Sequence, residues 1–261
     1  MIRMVHLLRR KNGVSPEEFA ALWRDVHGPL VAAHQVTLGI VRHVQTDAAE
    51  GAEEMAAVAS RVRGGIEPSY DGIAEYWWWS ESDLADALAS DAGRAAHEAI
   101  VECERQFTDL AASPLWFAHD YPQVGTSASR VVARHKTGVV RVHFAIRARP
   151  GLTDAEAQRY WVTNHGPLGR SVAVARGYLA YTQVHACETP LADAMRSARG
   201  STAEPYIGHA EAWFDRLVPR AGPEAQNATD ANVADESNFI DLRRSTYLVG
   251  KERVVVDRDW V

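Results

Sequence analysis

The sequence predicts an α+β fold made of two fused βαββαβ halves whose sheets face one another. Two observations carry this. First, Trp23-Arg-Asp-Val-His27-Gly28-Pro29-Leu30 returns 138 residues later as Trp161-Val-Thr-Asn-His165-Gly166-Pro167-Leu168. Second, strands and helices inferred from hydrophobic periodicity follow the same order on both sides of the chain's middle. At the same spacing Gly13 meets Gly151, Ser15 meets Thr153, Glu18 meets Glu156, Gly39 meets Gly177 and Gln45 meets Gln183. Small gaps then shift the register. Tyr70, Gly72, Glu75 and Trp77 match Tyr206, Gly208, Glu211 and Trp213, and Phe107-Thr-Asp-Leu110 matches Phe239-Ile-Asp-Leu242. Similarity kept in order along the chain implies duplication of a whole fold. The expected halves are 1–122 and 138–261, with 123–137 as a polar linker.

Each half is expected to begin with a strand, at 4–9 and 139–148, where residues alternate. Ser15-Pro16-Glu17-Glu18 and Thr153-Asp154-Ala155-Glu156 fit a capping box, in which the hydroxyl and the later Glu satisfy free N–H groups at a helix start. Phe19, Leu22, Trp23 and Val26 then form an amphipathic stripe. Gly28-Pro29 and Gly166-Pro167 are expected to stop or sharply bend the helix. Second strands are predicted at 40–46 and 178–185, and third strands at 73–79 and 210–214. A helix follows, clearest at 84–110 and broken near Asp91-Ala-Gly93, and last strands fall at 115–119 and 247–254. In this order the helices cover one face of each sheet. The other face stays apolar and needs a second sheet, which the duplicated half supplies.

The net charge of −6 offers no basic field for nucleic acid, and no polybasic cluster suits a membrane surface. No apolar run approaches a bilayer span, and the N-terminal order of apolar and cationic residues is the reverse of a signal peptide. The expectation is a cytoplasmic protein with a small-molecule partner, and the sequence leaves a homodimer open. Cys103 and Cys187 form neither a disulfide framework nor a zinc pattern and are expected to be buried spectators. There is no GxGxxG, phosphate loop, GxSxG elbow or HExxH. The histidines are scattered without pairs at metal-ligand spacing, so neither a metal nor another cofactor is expected.

The Trp-x3-His-Gly-Pro-Leu turn, the Tyr-x-Gly-x-x-Glu third strand and the Phe-x-Asp-Leu tail resemble the EthD family, of the dimeric α+β barrel superfamily, over nearly the whole chain. The resemblance implies that each half is ferredoxin-like and that the two close into an intrachain dimeric α+β barrel. Similar barrels include cofactor-free monooxygenases, muconolactone-isomerase-like enzymes and polyketide-tailoring lyases. Related barrels also hold haem through one His, which here would be His27 or His165.

The site residues follow from the repeat and from strand parity. His27 and His165 sit on the apolar face of their helices. Each either caps terminal carbonyls or, as the side chain that titrates near neutrality, serves as a general acid or base. Alternate strand residues share a face, which groups His43 with Gln45, and Tyr181 with Gln183 and His185. Glu75 lines up with Trp77, and Glu211 with Trp213. A carboxylate between aromatic neighbours needs a partner. The imidazole of the same half is the expected one, with a buried arginine as the alternative. His6 and His143 appear at equivalent places on the first strands. The catalytic candidates are therefore His165, His27, Tyr181, Glu211 and Glu75. Trp23, Trp161, His43, Gln45, Gln183, His185, Trp77, Trp213, His143 and His6 are the binding candidates. The His165 side is expected to dominate, because His185 and His209 add titratable groups there. The leading expectation is a cofactor-free enzyme catalysing elimination or isomerisation of a small hydrophobic, aromatic or polyketide-like molecule. A monooxygenase, cofactor-free or haem-dependent, and a non-catalytic binding protein are the alternatives.

Overall fold

The computed structural model describes residues 1–125, 131–218 and 220–258, so part of the expected linker (126–130) lies outside the described residues. The first half runs β1 (Ile2–Leu8), α1 (Pro16–Ala21), α2 (Gly28–His34), β2 (Arg42–Ala48), α3 (Glu53–Val62), β3 (Gly72–Trp78), α4 (Glu81–Ala89), α5 (Asp91–Phe107) and β4 (Leu115–Val124). The second runs β5 (Val140–Ile146), α6 (Asp154–Tyr160), α7 (Gly166–Ser171), α8 (Ala173–Arg176), β6 (Tyr178–Cys187), α9 (Pro190–Arg199), β7 (Gly208–Phe214), α10 (Pro223–Glu236) and β8 (Thr246–Asp257). Within the halves the sheets are ordered β4-β1-β3-β2 and β8-β5-β7-β6. Antiparallel pairing of β2 with β8 and of β4 with β6 joins them into one closed eight-stranded barrel. Closure leaves no unpaired strand edge among the described residues.

Strand alternation sorts the side chains into two environments. Val5, Leu7, Ile73, Trp116, Ala145, Val184 and Leu248 fill the barrel interior. Ile2, Met4, Ala74, Tyr76, Trp78 and Phe117 pack against the first half's helices, and Val142, Phe144, Ala212 and Val249 against the second's. The three consecutive tryptophans obey the same rule: Trp77 and Trp78 are buried on opposite faces, whereas Trp79 is 51% exposed beyond the strand end.

The glycine–proline turns do not stop the helices, contrary to expectation. In each half a π-helical turn, Leu22–His27 or Trp161–His165, carries the chain from α1 into α2 and from α6 into α7. Gly28 N–H bonds Trp23 O and Gly166 N–H bonds Trp161 O, so the wider turn absorbs the missing proline N–H. The repeated glutamines reinforce the same carbonyls: Gln45 Nε2 donates to Trp23 O (2.8 Å) and Gln183 Nε2 to Trp161 O (3.0 Å). The repeated glycines have a steric reason. A Cβ on Gly72 would lie 2.5 Å from the Trp23 ring, and one on Gly208 would lie 2.1 Å from Val184 O. Of the two expected capping boxes, that of α6 carries both bonds, while α1 carries the Ser15 cap.

Two helices that the sequence reading did not place, α3 and α9, cross between the halves. Met55 and Ala59 of α3 join the second half's core, and Ala192 and Met195 of α9 join the first's. Each crossing ends in a buried bidentate ion pair. Arg63 binds Glu236 at 2.7 and 2.8 Å, and Arg199 binds Glu104 at 2.8 and 3.1 Å. A fragment of residues 1–122 would therefore expose the interior face of its sheet, two strand edges and the seat of α9. It is expected to be insoluble or self-associated, as light scattering after gel filtration would read; a stable folded monomer would contradict this.

Candidate functional site

The two repeated histidines occupy equivalent π-turn ends but different surroundings. In the first half, Tyr76 on β3 stacks on His43 with ring centroids 4.1 Å apart, and its hydroxyl lies 3.5 Å from His27 Nε2. The same nitrogen is 3.5 Å from Glu104, and His27 Nδ1 is 3.4 Å from Gln45 Nε2. Both imidazole nitrogens thus face protein groups. Burial holds His6 and His43 down at about 3, so both are neutral packing residues.

In the second half, the residue at the place of Tyr76 is Ala212. At this place a pocket lies between sheet and helices, lined by apolar (Phe144, Trp161, Ala212) and polar (His165, Tyr181, Glu236) side chains, among others. His165 Nδ1 lies 2.7 Å from Asp235 Oδ2, and the other Asp235 oxygen accepts from the Tyr160 hydroxyl at 2.8 Å. The His165 hydrogen bond first, and that of Tyr160 with it, hold the Asp235 carboxyl below its ordinary value. With the proton on Nδ1 shared to the carboxylate, Nε2 keeps its lone pair, the tautomer a general base needs. Burial raises the Tyr181 hydroxyl above the usual phenol range, so it remains a hydrogen-bond donor. Arg63 and Arg176 also line the cavity, and Arg176 Nη1 is buried with no hydrogen-bond partner among the described residues. The site therefore combines a pocket of mixed apolar and polar lining, an oriented imidazole and an uncommitted guanidinium nitrogen.

Glu75 and Glu211 lie elsewhere, inside the barrel. Neither lies against the repeated His27 or His165, which corrects the expected pairing: their charged partners are Arg3 and Arg141, with His209 Nε2 also 2.7 Å from Glu211. Arg3 Nη1 bonds Glu75 (2.9 Å) and Glu211 (2.8 Å), and Arg141 bonds Glu75 (2.7 and 3.1 Å) and Glu211 (2.5 Å). Asp120 extends the network at Arg3 (2.9 Å) and Glu252 at Arg141 (2.9 Å). Each guanidinium lies 4.9 Å from an indole ring, Arg3 over Trp77 and Arg141 over Trp213. Every member has its repeat partner here, so the ring of ion pairs sits on the axis relating the halves. Burial opposes ionisation of Glu75, yet Arg141 and Arg3 hold its carboxyl down at about 2; the same pair keeps Glu211 well below the usual range.

Placement of the remaining candidates follows parity. Trp23 and Trp161 are core walls, each 1% exposed. His185 stacks on Trp161 at 4.4 Å, and burial lowers it to about 4. His209, expected beside His165, instead points into the barrel and bonds Glu211 at 2.7 Å. His6 and His143 are not equivalent either: the residue matching His6 is Phe144, and His143 faces the barrel interior. There burial, with Arg141 alongside, lowers it to about 4. Sequence reasoning missed Arg3 and Arg141, although they repeat at the spacing of the histidine motif. It also missed Asp235, whose only signal is the polar stripe Asn232, Asp235 and Glu236 on an otherwise Ala-rich helix.

A closed barrel of two fused βαββαβ units, each with a sheet–helix interface built on a histidine-bearing π turn, defines a dimeric α+β barrel protein made within one chain. The chain belongs to the EthD domain family: residues 11–111 and 149–243 match that domain. Among solved structures it is similar to an anthrone oxidase-like protein, at 12% identity and TM-score 0.60, covering 97% of this chain and 93% of that one. It is also similar to a Fusobacterium nucleatum subsp. nucleatum protein whose assignment as a monooxygenase is provisional, at 7% identity and TM-score 0.50, covering 97% and 93%. These likenesses establish the fold. No curated protein sequence matches the chain. No helix among the described residues is long and apolar enough to cross a membrane.

Proposed function

We propose that the second half holds the active site of an enzyme that oxidises an aromatic or polycyclic hydroxy-ketone, with molecular oxygen as co-substrate. The observation that carries this is the His165–Asp235 pair at the wall of a pocket beside Ala212. His165 Nε2 takes a proton from an acidic ring methylene, and the electron pair moves into the ring carbonyl to give an enolate. Arg176 and the Tyr181 hydroxyl supply donors toward that oxyanion. Carbon then gives its electrons to oxygen, forming a C–O bond and a hydroperoxide that recovers the proton from the imidazolium. Loss of the second methylene proton with cleavage of the O–O bond releases water and leaves a ketone, so CH₂ and O₂ become C=O and H₂O. The likeness to an anthrone oxidase-like fold supports oxidation over elimination or isomerisation, which would use the same first proton transfer.

The test is a hydroxylated anthrone incubated with purified protein, following quinone absorbance and oxygen uptake in parallel. The expected result is one O₂ consumed per quinone at a rate well above spontaneous oxidation. Turnover that persists without oxygen would favour the elimination or isomerisation reading. Ligand protection without any product would favour a binding protein.

A further inference from the structure

We infer that the barrel interior binds one divalent transition-metal ion between the imidazoles of His143 and His209 and the carboxylates of Glu75 and Glu211. The four side chains come from β5, β7 and β3, are all buried, and bring one ligand atom each to within 4.8 Å of one another. Two nitrogen and two oxygen donors are a set that zinc and its first-row neighbours accept.

Three further observations point the same way. The ion-pair ring explains the glutamates but not the histidines, because the first half completes its side of the ring with Val5 and Ile73 at the matching places. Neither nitrogen of His143 has a hydrogen-bond partner among the described residues, nor does His209 Nδ1, although His143 and His209 are each 1% exposed. Unpartnered buried imidazole nitrogens carry a desolvation cost that a bound cation removes. The local charge also favours a cation: among the described residues the buried carboxylates Glu75, Glu211 and Glu252 pair with two arginines, Arg3 and Arg141, and Asp120 adds a fourth carboxylate at the rim. A small pocket lined by Tyr70, His143, His209 and Thr246 lies beside the two imidazoles.

A tetrahedral ion with bonds of about 2.0–2.2 Å holds its donors roughly 3.4 Å apart, so binding spreads His209 Nε2 and Glu211 Oε1 from 2.7 Å and draws the more distant donors together. In that arrangement the ion takes the place of the proton between His209 Nε2 and Glu211 Oε1, and Arg3 and Arg141, which bond the same carboxylates, give up part of their hold on Glu211 Oε1 to it. The site lies on the opposite face of the sheet from the His165 cavity and does not depend on the reaction proposed there.

The test uses the full-length protein, stripped with chelator and titrated with Co²⁺, read by visible d–d absorption and by elemental analysis after gel filtration. The expected result is one tightly held equivalent with the intense absorption of a four-coordinate N₂O₂ site. His143→Val, which installs the first half's residue, should weaken binding by more than about 100-fold, beyond what loss of a supporting contact costs. His209→Gln, which keeps a polar side chain beside Glu211, serves the same purpose should the valine variant fail to fold. His165→Ala should bind Co²⁺ as the parent does. Less than a tenth of an equivalent bound, or equal affinity in the parent and a folded His143 or His209 variant, overturns the inference.

Discussion

Replacing His165 by alanine is expected to lower turnover by about 10²- to 10⁴-fold, the usual contribution of a positioned general base. His27→Ala should leave turnover near the parent's. The contrast rests on surroundings rather than on the residue: His165 faces a cavity, whereas His27 is enclosed by Tyr76, Glu104 and Gln45. Asp235→Asn should reproduce much of the His165 loss with little change in KM, because it removes the carboxylate that fixes the tautomer without touching the pocket. Ala212→Tyr supplies the complementary result. It rebuilds the first half's side chain in the second half's cavity and should abolish ligand binding with the barrel intact. These are steady-state rates and ligand titrations on variants whose thermal unfolding is checked first. Equal, small rate effects from both histidine variants would remove the imidazoles from the chemistry. Equal losses of stability would make both of them packing residues.

Arg141→Met is expected to destabilise the fold by about 3–5 kcal/mol, the cost of leaving a buried partner charge uncompensated. Arg141 touches Glu75, Glu211 and Glu252, and its side chain is 2% exposed, so water cannot replace the lost guanidinium without opening the barrel. Arg141→Met combined with Glu252→Gln should recover part of the loss, because one of the stranded charges goes with it. Denaturant titration of the parent, both singles and the double gives the coupling directly. A cost below about 1 kcal/mol for the single variant would mean that the interior network is solvated and contributes no more than a surface pair.

Much of the fold was legible because duplication wrote it twice. The tryptophan, the His-Gly-Pro turn, the strand glycine and the glutamine are one packing unit: the indole lies over the glycine, and the glutamine holds the turn's carbonyl. Three things were not legible, each for a physical reason. A displacement of one residue in matching His143 to His6 placed them on one face, and in a strand a single step reverses the face. The crossing of α3 and α9 depends on which sheet lies beneath them, which no local periodicity records. Asp235 could not be found through the repeat, because the first half carries Cys103 there. The four residues of the proposed metal site come from three strands, so no spacing rule in the chain brings them together.

Tyr76 and Ala212 stand at the same point of the two halves, and the difference has an evolutionary consequence. In an assembly of two identical subunits each codon is read out twice, so a tyrosine that closes one cavity closes both. Joining the subunits into one reading frame makes the two sites separately mutable. One can then be filled to serve as ballast while the other stays hollow. The crossing helices keep the two dependent on each other, since the filled half supplies Arg63 to the wall of the hollow one. A constraint on the open cavity would therefore also bear on residues of the half in which Tyr76 fills the equivalent place.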